Sequence, residues 1–274
     1  MRITNFRYAN HTLKYYGFMV CSFDKNGIQT NSNGSEIEFK TTPLFNGKQQ
    51  YLTSSNYKNC ITAEINICPI PDCENNTDTT FVTVEQERNI MKWLNRKEFH
   101  KFKIVGNSDY ADIYFNGSFN VEKVTFDNAV IGFHLTFTAD RPFAVTDRNF
   151  TIDFAQANTE VLVEDTSDES GSQWLNVEIS IPDDTLETDE LIITHRFGSE
   201  TESVVIKNCS PGETIWLYYP MSASDLSTHK ISRDFNYHFL KISKTESMKE
   251  NYYSCNIKDT LLSCSYSPVV KIGL

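Results

Sequence analysis

No apolar run in the chain approaches the ~20 residues needed for a membrane-spanning helix. The first twenty residues, MRITNFRYANHTLKYYGFMV, lack the continuous apolar core of a signal peptide. Positive charge is also short. Lys and Arg number 25 against 36 Asp and Glu, a net charge of −11, which argues against gripping a nucleic-acid backbone. The seven cysteines show no paired spacing. With no export signal, they are expected to be reduced thiols in a protein made in the cytoplasm.

Chemistry-bearing patterns are missing as well. Cys60, Cys68 and Cys73 are separated by seven and four residues. That is not a Cys-x2-Cys knuckle, and no histidine lies near enough to complete a tetrahedral site. His11, His100, His134, His195, His229 and His238 form no HExxH-like pair. Asp165, Asp168 and Glu169 lack the alternating oxygens, central glycine and terminal glutamate of a calcium loop, and are expected in a solvated acidic loop. Asp183 and Asp184 flank a proline, with nothing apolar to raise a carboxyl pKa for acid catalysis. No nucleophile elbow, phosphate-cradling loop or dinucleotide fingerprint occurs. Trp174 and Trp216 could stack on a sugar, but each lies in an apolar run that reads as core. These absences predict a protein with no catalytic, cofactor-binding or metal residues, and not an enzyme.

What is present reads as strand. Nineteen Phe and thirteen Tyr suit pleated, half-buried surfaces. One helix interrupts this, in TVEQERNIMKWLNRKEFHK. Thr83 and Gln86 form a capping box, and Glu85 and Glu87 favour the helix N-terminus while Arg96, Lys97 and Lys101 favour its end. The helix is therefore expected over 84–100. Its apolar stripe is Val84, Ile90, Met91 and Leu94, with Trp93 on the margin, so it must lie on a sheet. Ile61, Ala63, Ile65 and Ile67 alternate with polar residues as in a half-buried strand, and Phe133, Leu135 and Phe137 share one face of another. By local rules both Asp127-Asn128 and Asn116-Gly117 could close hairpins.

Residues 36–58 form two polar strands around Asn46-Gly47, a strong hairpin signal. A hairpin polar on both faces buries little in its own subunit. It is an arm reaching a neighbour or an exposed flap, and the residues themselves leave both open. A boundary near 140–150 divides the chain into residues 1–143 and 144–274. Beyond it, short strands recur with turn residues between them: 151–154, 159–163, 174–181, 190–195, 203–207, 214–219, 235–242, 252–257 and 261–266. That spacing predicts a β-sandwich. The fold class is mainly β (α+β).

The order of elements resembles the distal tail proteins of long-tailed, non-contractile bacteriophages. The resemblance is carried by ERNIMKWL (87–94), YADIYFNGSF (110–119) and VIGFHLTFTADRPFA (130–144). It continues through Ile206-Lys207-Asn208, Gly212-Glu213-Thr214-Ile215, RDFNYHFLKI (233–242) and the closing SYSPVVKIGL. It implies that residues 110–119 form one strand through Asn116-Gly117, and that the 36–58 hairpin is an arm embracing the adjacent subunit of a ring. Lys40, Lys48 and Lys58 would then meet acidic patches on that neighbour. The first domain would build a homohexameric ring, and a galectin-like β-sandwich would project outward. The implied role is a virion hub at the tail tip, made in the host cytoplasm. It would join the tail tube protein to the tail tip or tail-associated fibre or lysin protein, and to receptor-binding proteins. The Cys-containing loop at 68–78 departs from the family pattern, and no galectin sugar-binding residues are matched. The alternative is a glycan-binding module attaching to the host through the C-terminal sandwich.

Overall fold

The computed structural model describes residues 3–23, 35–45, 47, 49–71, 81–184, 186 and 188–273. It divides into two units, residues 1–145 with 270–274, and residues 146–269. The last few residues thus belong to the first unit, not to the C-terminal sandwich where the sequence boundary would put them.

The first unit contains β1 (Asn5–Tyr8), β2 (His11–Thr12), β3 (Phe18–Cys21), β4 (Ile37–Pro43), β5 (Gln50–Tyr57) and β6 (Thr62–Pro69). After these come α1 (Val84–Leu94), β7 (His100–Val105), β8 (Ile113–Phe126), β9 (Ala129–Ala139) and β10 (Ala144–Thr146). The main sheet runs β2-β1-β7-β8-β9-β6-β3, and β10 adds to β8 and to the short strand Val269–Val270. Alternation builds the core directly. Ala63, Ile65 and Ile67 on β6 stand opposite Phe137, Leu135 and Phe133 on β9, and all six are buried. The Asp127-Asn128 turn closes β8 on β9 with both residues at positive φ, 45° and 65°, as a tight hairpin turn requires.

Helix α1 keeps the capping box. The Gln86 amide donates to Thr83 Oγ1 at 3.2 Å, and the Thr83 amide donates to Gln86 Oε1 at 2.9 Å. It ends at Leu94, six residues short of the expected 84–100. Arg96 folds back to donate from Nε to the Trp93 carbonyl at 3.0 Å, and the chain turns to enter β7. Arg96, Lys97 and Lys101 are therefore outside the helix, and Lys92 is the base in its last turn. The stripe is rotated from the expected one. Ile90, Trp93 and Leu94 are buried, Met91 is half-buried, and Val84 is 84% exposed. Trp93 is the centre of the contact, not its margin. Its Nε1–H donates to the Tyr8 carbonyl at 2.8 Å, and its ring stacks on Phe6 and Tyr16.

Asn116-Gly117 is not a turn. Strand β8 runs straight through it, and Gly117 pairs with both His100 and Ala139. A Cβ on Gly117 would fall 2.4 Å from the Phe137 ring and from the Thr138 carbonyl. Glycine stands there for close packing. Tyr110 lies in a short 3-10 turn ahead of the strand.

The second unit contains β11 (Arg148–Phe154), β12 (Val161–Glu164), β13 (Gly171–Trp174), β14 (Asn176–Ser180), β15 (Leu191–Phe197) and β16 (Glu200–Ile206). It continues with β17 (Thr214–Tyr218), β18 (Met221–Ser224), the single turn α2 (Ile231–Asp234), β19 (Lys241–Lys244), β20 (Glu250–Cys255) and β21 (Thr260–Tyr266). Two sheets, β11-β21-β14-β17-β18 and β12-β20-β15-β16, share one apolar core, with β13 and β19 paired beside them. This is the expected sandwich, with two local differences. The run 174–181 is broken at Leu175, whose amide donates to the Leu240 carbonyl. The run 235–242 is not a strand until Lys241; Phe235, Phe239 and Leu240 plug the core without alternating. Asp165 is not solvated either. It is buried, and its Oδ1 accepts from the Tyr266 hydroxyl at 3.0 Å and the Ser167 amide at 2.8 Å.

Candidate assembly interface

Strands β4 and β5 form a sheet of their own, paired with no other described strand. The two are in register from Ile37–Tyr57 at the base to Pro43–Gln50 near the tip, with one irregularity between Lys40 and Thr41. The tip is closed by the Leu44 amide on the Gln49 carbonyl and the Gly47 amide on the Leu44 carbonyl. Asn46 and Lys48 lie outside the described residues. At the base, Lys58 Nζ meets Glu36 Oε2 at 3.1 Å and the Asn59 amide donates to Ser35 Oγ. Lys58 is thus engaged within its own hairpin. The Tyr57 ring meets Phe143 edge-on at 4.9 Å and fixes the hairpin to its unit.

The hairpin is not polar on both faces. Cross-strand partners share a face, so the register sets Ile37, Phe39, Leu52 and Tyr57 on one side, with Thr41 and Ser55 among them. Glu38, Lys40, Thr42, Ser54 and Asn56 lie on the other, where Tyr51 is the one large ring. Phe39 is 61% exposed, Ile37 and Leu52 about half, and Phe45 at the tip fully. The sequence hid this stripe because the bulge leaves Thr53 unpaired and shifts the phase of β5. Thr53 faces Thr42 across the strands, hydroxyl to hydroxyl at 3.0 Å. Two strands with free edges and an exposed apolar face are a pairing hazard unless covered.

The other residues singled out in the sequence are scattered. Cys60 is exposed, Cys68 half-buried, and Cys73 lies outside the described residues. No group of three or more His, Cys, Asp or Glu able to hold a metal occurs among the described residues. His134 Nδ1 is bonded to Asn66 Oδ1 at 2.8 Å. Trp216 is half-buried and donates to Glu178 Oε2 at 3.0 Å. Trp174 departs from its expected core role. It is 48% exposed and stacks on Tyr219, itself 55% exposed, with centroids 5.0 Å apart and planes at 13°. Phe239 supports both rings from below, edge-on. Tyr219 was not singled out in the sequence; only the fold brings it to Trp174. No helix among the described residues is long and apolar enough to cross a membrane.

The chain belongs to the phage tail protein family: residues 1–141 match the phage tail protein N-terminal domain and residues 143–266 the phage tail C-terminal domain. Its fold is that of a distal tail hub protein. The crystal structure of the Dit protein (gp 19.1) of phage SPP1, described as a hub adsorption apparatus in phages infecting Gram-positive hosts, superposes with a TM-score of 0.62 at 12% identity. The match covers 97% of this chain and 99% of that one. A chain of the phage P2 baseplate, in its activated conformation with Ca, matches with a TM-score of 0.53 at 10% identity over 99% of this chain and 100% of that one. The same baseplate with Sr matches at 0.51 and 10% identity, over 97% and 98%. No curated protein matches the sequence.

Proposed function

We propose that this protein is the distal tail hub of its virion. The first unit forms a homohexameric ring, and the ring connects the tail tube to the tail-tip and host-adsorption proteins. The second unit is a galectin-like sandwich that serves as an attachment module. The work is done by interfaces, with no catalytic step and no cofactor. The observation that carries the reading is the β4–β5 arm, a separate sheet with an apolar stripe left exposed among the described residues. Laid on a neighbour, it makes a head-to-tail contact, which closes into a ring when the rotation allows. An obligate contact of this kind buries more than ~2,000 Å² in total. The test is native mass spectrometry of the intact protein and of a variant with residues 39–57 replaced by a short Gly-Ser turn. The intact chain should run as a hexamer and the variant as a folded monomer. A variant that still forms hexamers would sink the proposal.

The exposed Trp174–Tyr219 stack supports a second reading, host attachment through glycan on the sandwich. Aromatic faces take the C–H face of a sugar ring, and every other described tryptophan is at least half-buried. Binding of host cell-wall polysaccharide that disappears in Trp174→Ala, with hexamer assembly intact, would support it. Equal binding by the variant would remove it.

A further inference from the structure

Strands β3 and β6 are antiparallel neighbours, with Met19 opposite Cys68 and Cys21 opposite Asn66. Phe18 and Ile67 point into the core, so Cys21 and Cys68 lie together on the other face, diagonal to one another across the strand pair. Both are free and only half-buried, and they are close enough for Cys68 to bear on the ionisation of the Cys21 thiol. Among the described strands β3 is terminal in the sheet and bonded to β6 alone.

We propose that Cys21 and Cys68 are a latent cross-strand disulfide, closed by low-molecular-weight disulfides such as oxidised glutathione. The chemistry balances in two exchanges. The Cys68 thiolate attacks one sulfur of the oxidant and releases one thiol, leaving a mixed disulfide. The Cys21 sulfur, losing its proton, displaces the second thiol and forms the protein S–S bond. Two protein thiols are oxidised and one small disulfide is reduced to two thiols. Burial and the adjacent Cys68 push the Cys21 thiol up to about 12, so little Cys21 thiolate is present and closure is slow at neutral pH. A diagonal pair starts about 7–8 Å apart, at or just past the roughly 7 Å between Cα atoms that a disulfide spans without backbone movement. Closure therefore draws β3 toward β6, which a terminal strand bonded on one side permits.

The placement gives the bond a purpose. Strand β3 precedes the β4–β5 arm and β6 follows it. A Cys21–Cys68 bond closes a covalent loop containing the whole arm and fixes the root from which it extends. This holds whether or not the arm builds a ring.

The experiment treats the reduced full-length protein with oxidised glutathione and maps peptides by mass spectrometry without reduction. The wild type should lose the mass of two hydrogens, yield a linked peptide pair containing Cys21 and Cys68, and regain both thiols in dithiothreitol. Cys21→Ser should instead accumulate a glutathione adduct on Cys68, because the resolving thiol is gone. Exposed Cys60 serves as the internal control for oxidant reactivity. The proposal is overturned if Cys60 is glutathionylated while Cys21 and Cys68 both remain thiols. It is equally overturned if Cys68 is found linked to Cys60 or Cys73.

Discussion

His229 Nδ1 stands 2.5 Å from Glu213 Oε1, and neither side chain is more than 3% exposed. The same Glu213 oxygen accepts from the Ser224 hydroxyl, and Oε2 accepts from the Ser210 amide. Asp234 Oδ2 lies 3.5 Å from the other ring nitrogen. One buried carboxylate thus ties the loop before β17, the end of β18 and the segment leading to α2. Removing it strands three donors without an acceptor. Glu213→Ala should destabilise the sandwich by ~3–5 kcal/mol, the cost of breaking a buried polar pair from one side. Urea unfolding monitored in the second unit checks this, and a loss under ~1 kcal/mol would contradict it.

Leu94 is sealed in the core under α1 while Val84, on the same helix, faces solvent. Leu94→Ala should therefore cost ~2–5 kcal/mol, and Val84→Ala should stay within ~0.5 kcal/mol. Equal effects in thermal or chemical melts would mean that the helix is rotated from the face described above.

His195 is buried with Nε2 bonded to Asn251 Oδ1 at 2.8 Å. Burial holds its pKa below the ordinary 6.5, against the Asn251 bond. The unfolded chain therefore binds the proton more readily. This contribution to stability is complete above about pH 6.5 and declines as pH falls from there toward the lowered folded value. Across that window His195→Gln should flatten the pH dependence of unfolding free energy relative to wild type. Parallel curves for the two proteins would refute the assignment.

Phe39 and Leu52 share the exposed apolar face of the arm. Phe39→Ser with Leu52→Ser removes that stripe and leaves the backbone pairing in place. The double variant should keep the wild-type circular dichroism spectrum and melting curve of its monomer. By light scattering its assembly should weaken at least tenfold, about 1.4 kcal/mol per ring contact. Lys40→Ser, on the opposite face, should change assembly little.

Where one physical effect dominates, the sequence is readable. The alternation of Ile61 through Ile67, the Thr83 capping box and the spacing of the sandwich strands all reflect local rules that tertiary contacts reinforce. Local rules mislead where packing overrides them. Gly117 looks like half of a turn but is a notch for Phe137. The charges of Arg96 and Lys97 extend the helix on paper, yet the chain turns at Asn95 to reach β7. The arm was legible as a hairpin, but its apolar face was not, because the unpaired Thr53 breaks the alternation of period two on which such a reading depends. The Trp174–Tyr219 stack and the Glu213–His229 bond join residues far apart in sequence, and no spacing rule predicts them.

The return of the chain end to the first unit has a consequence for synthesis and for exchange. The Ala144 amide donates to the Ile272 carbonyl, and Val270 and Ile272 pack against the first unit's core. The sandwich is therefore inserted into the first unit, entered after residue 145 and left before residue 270. On the ribosome the first unit emerges first but finishes last, since its closing residues are translated after the entire sandwich. A frameshift or stop codon anywhere in the sandwich also strips the first unit of that edge. Recombination that replaces the sandwich with another module must make two junctions, one on each side, to leave the first unit whole.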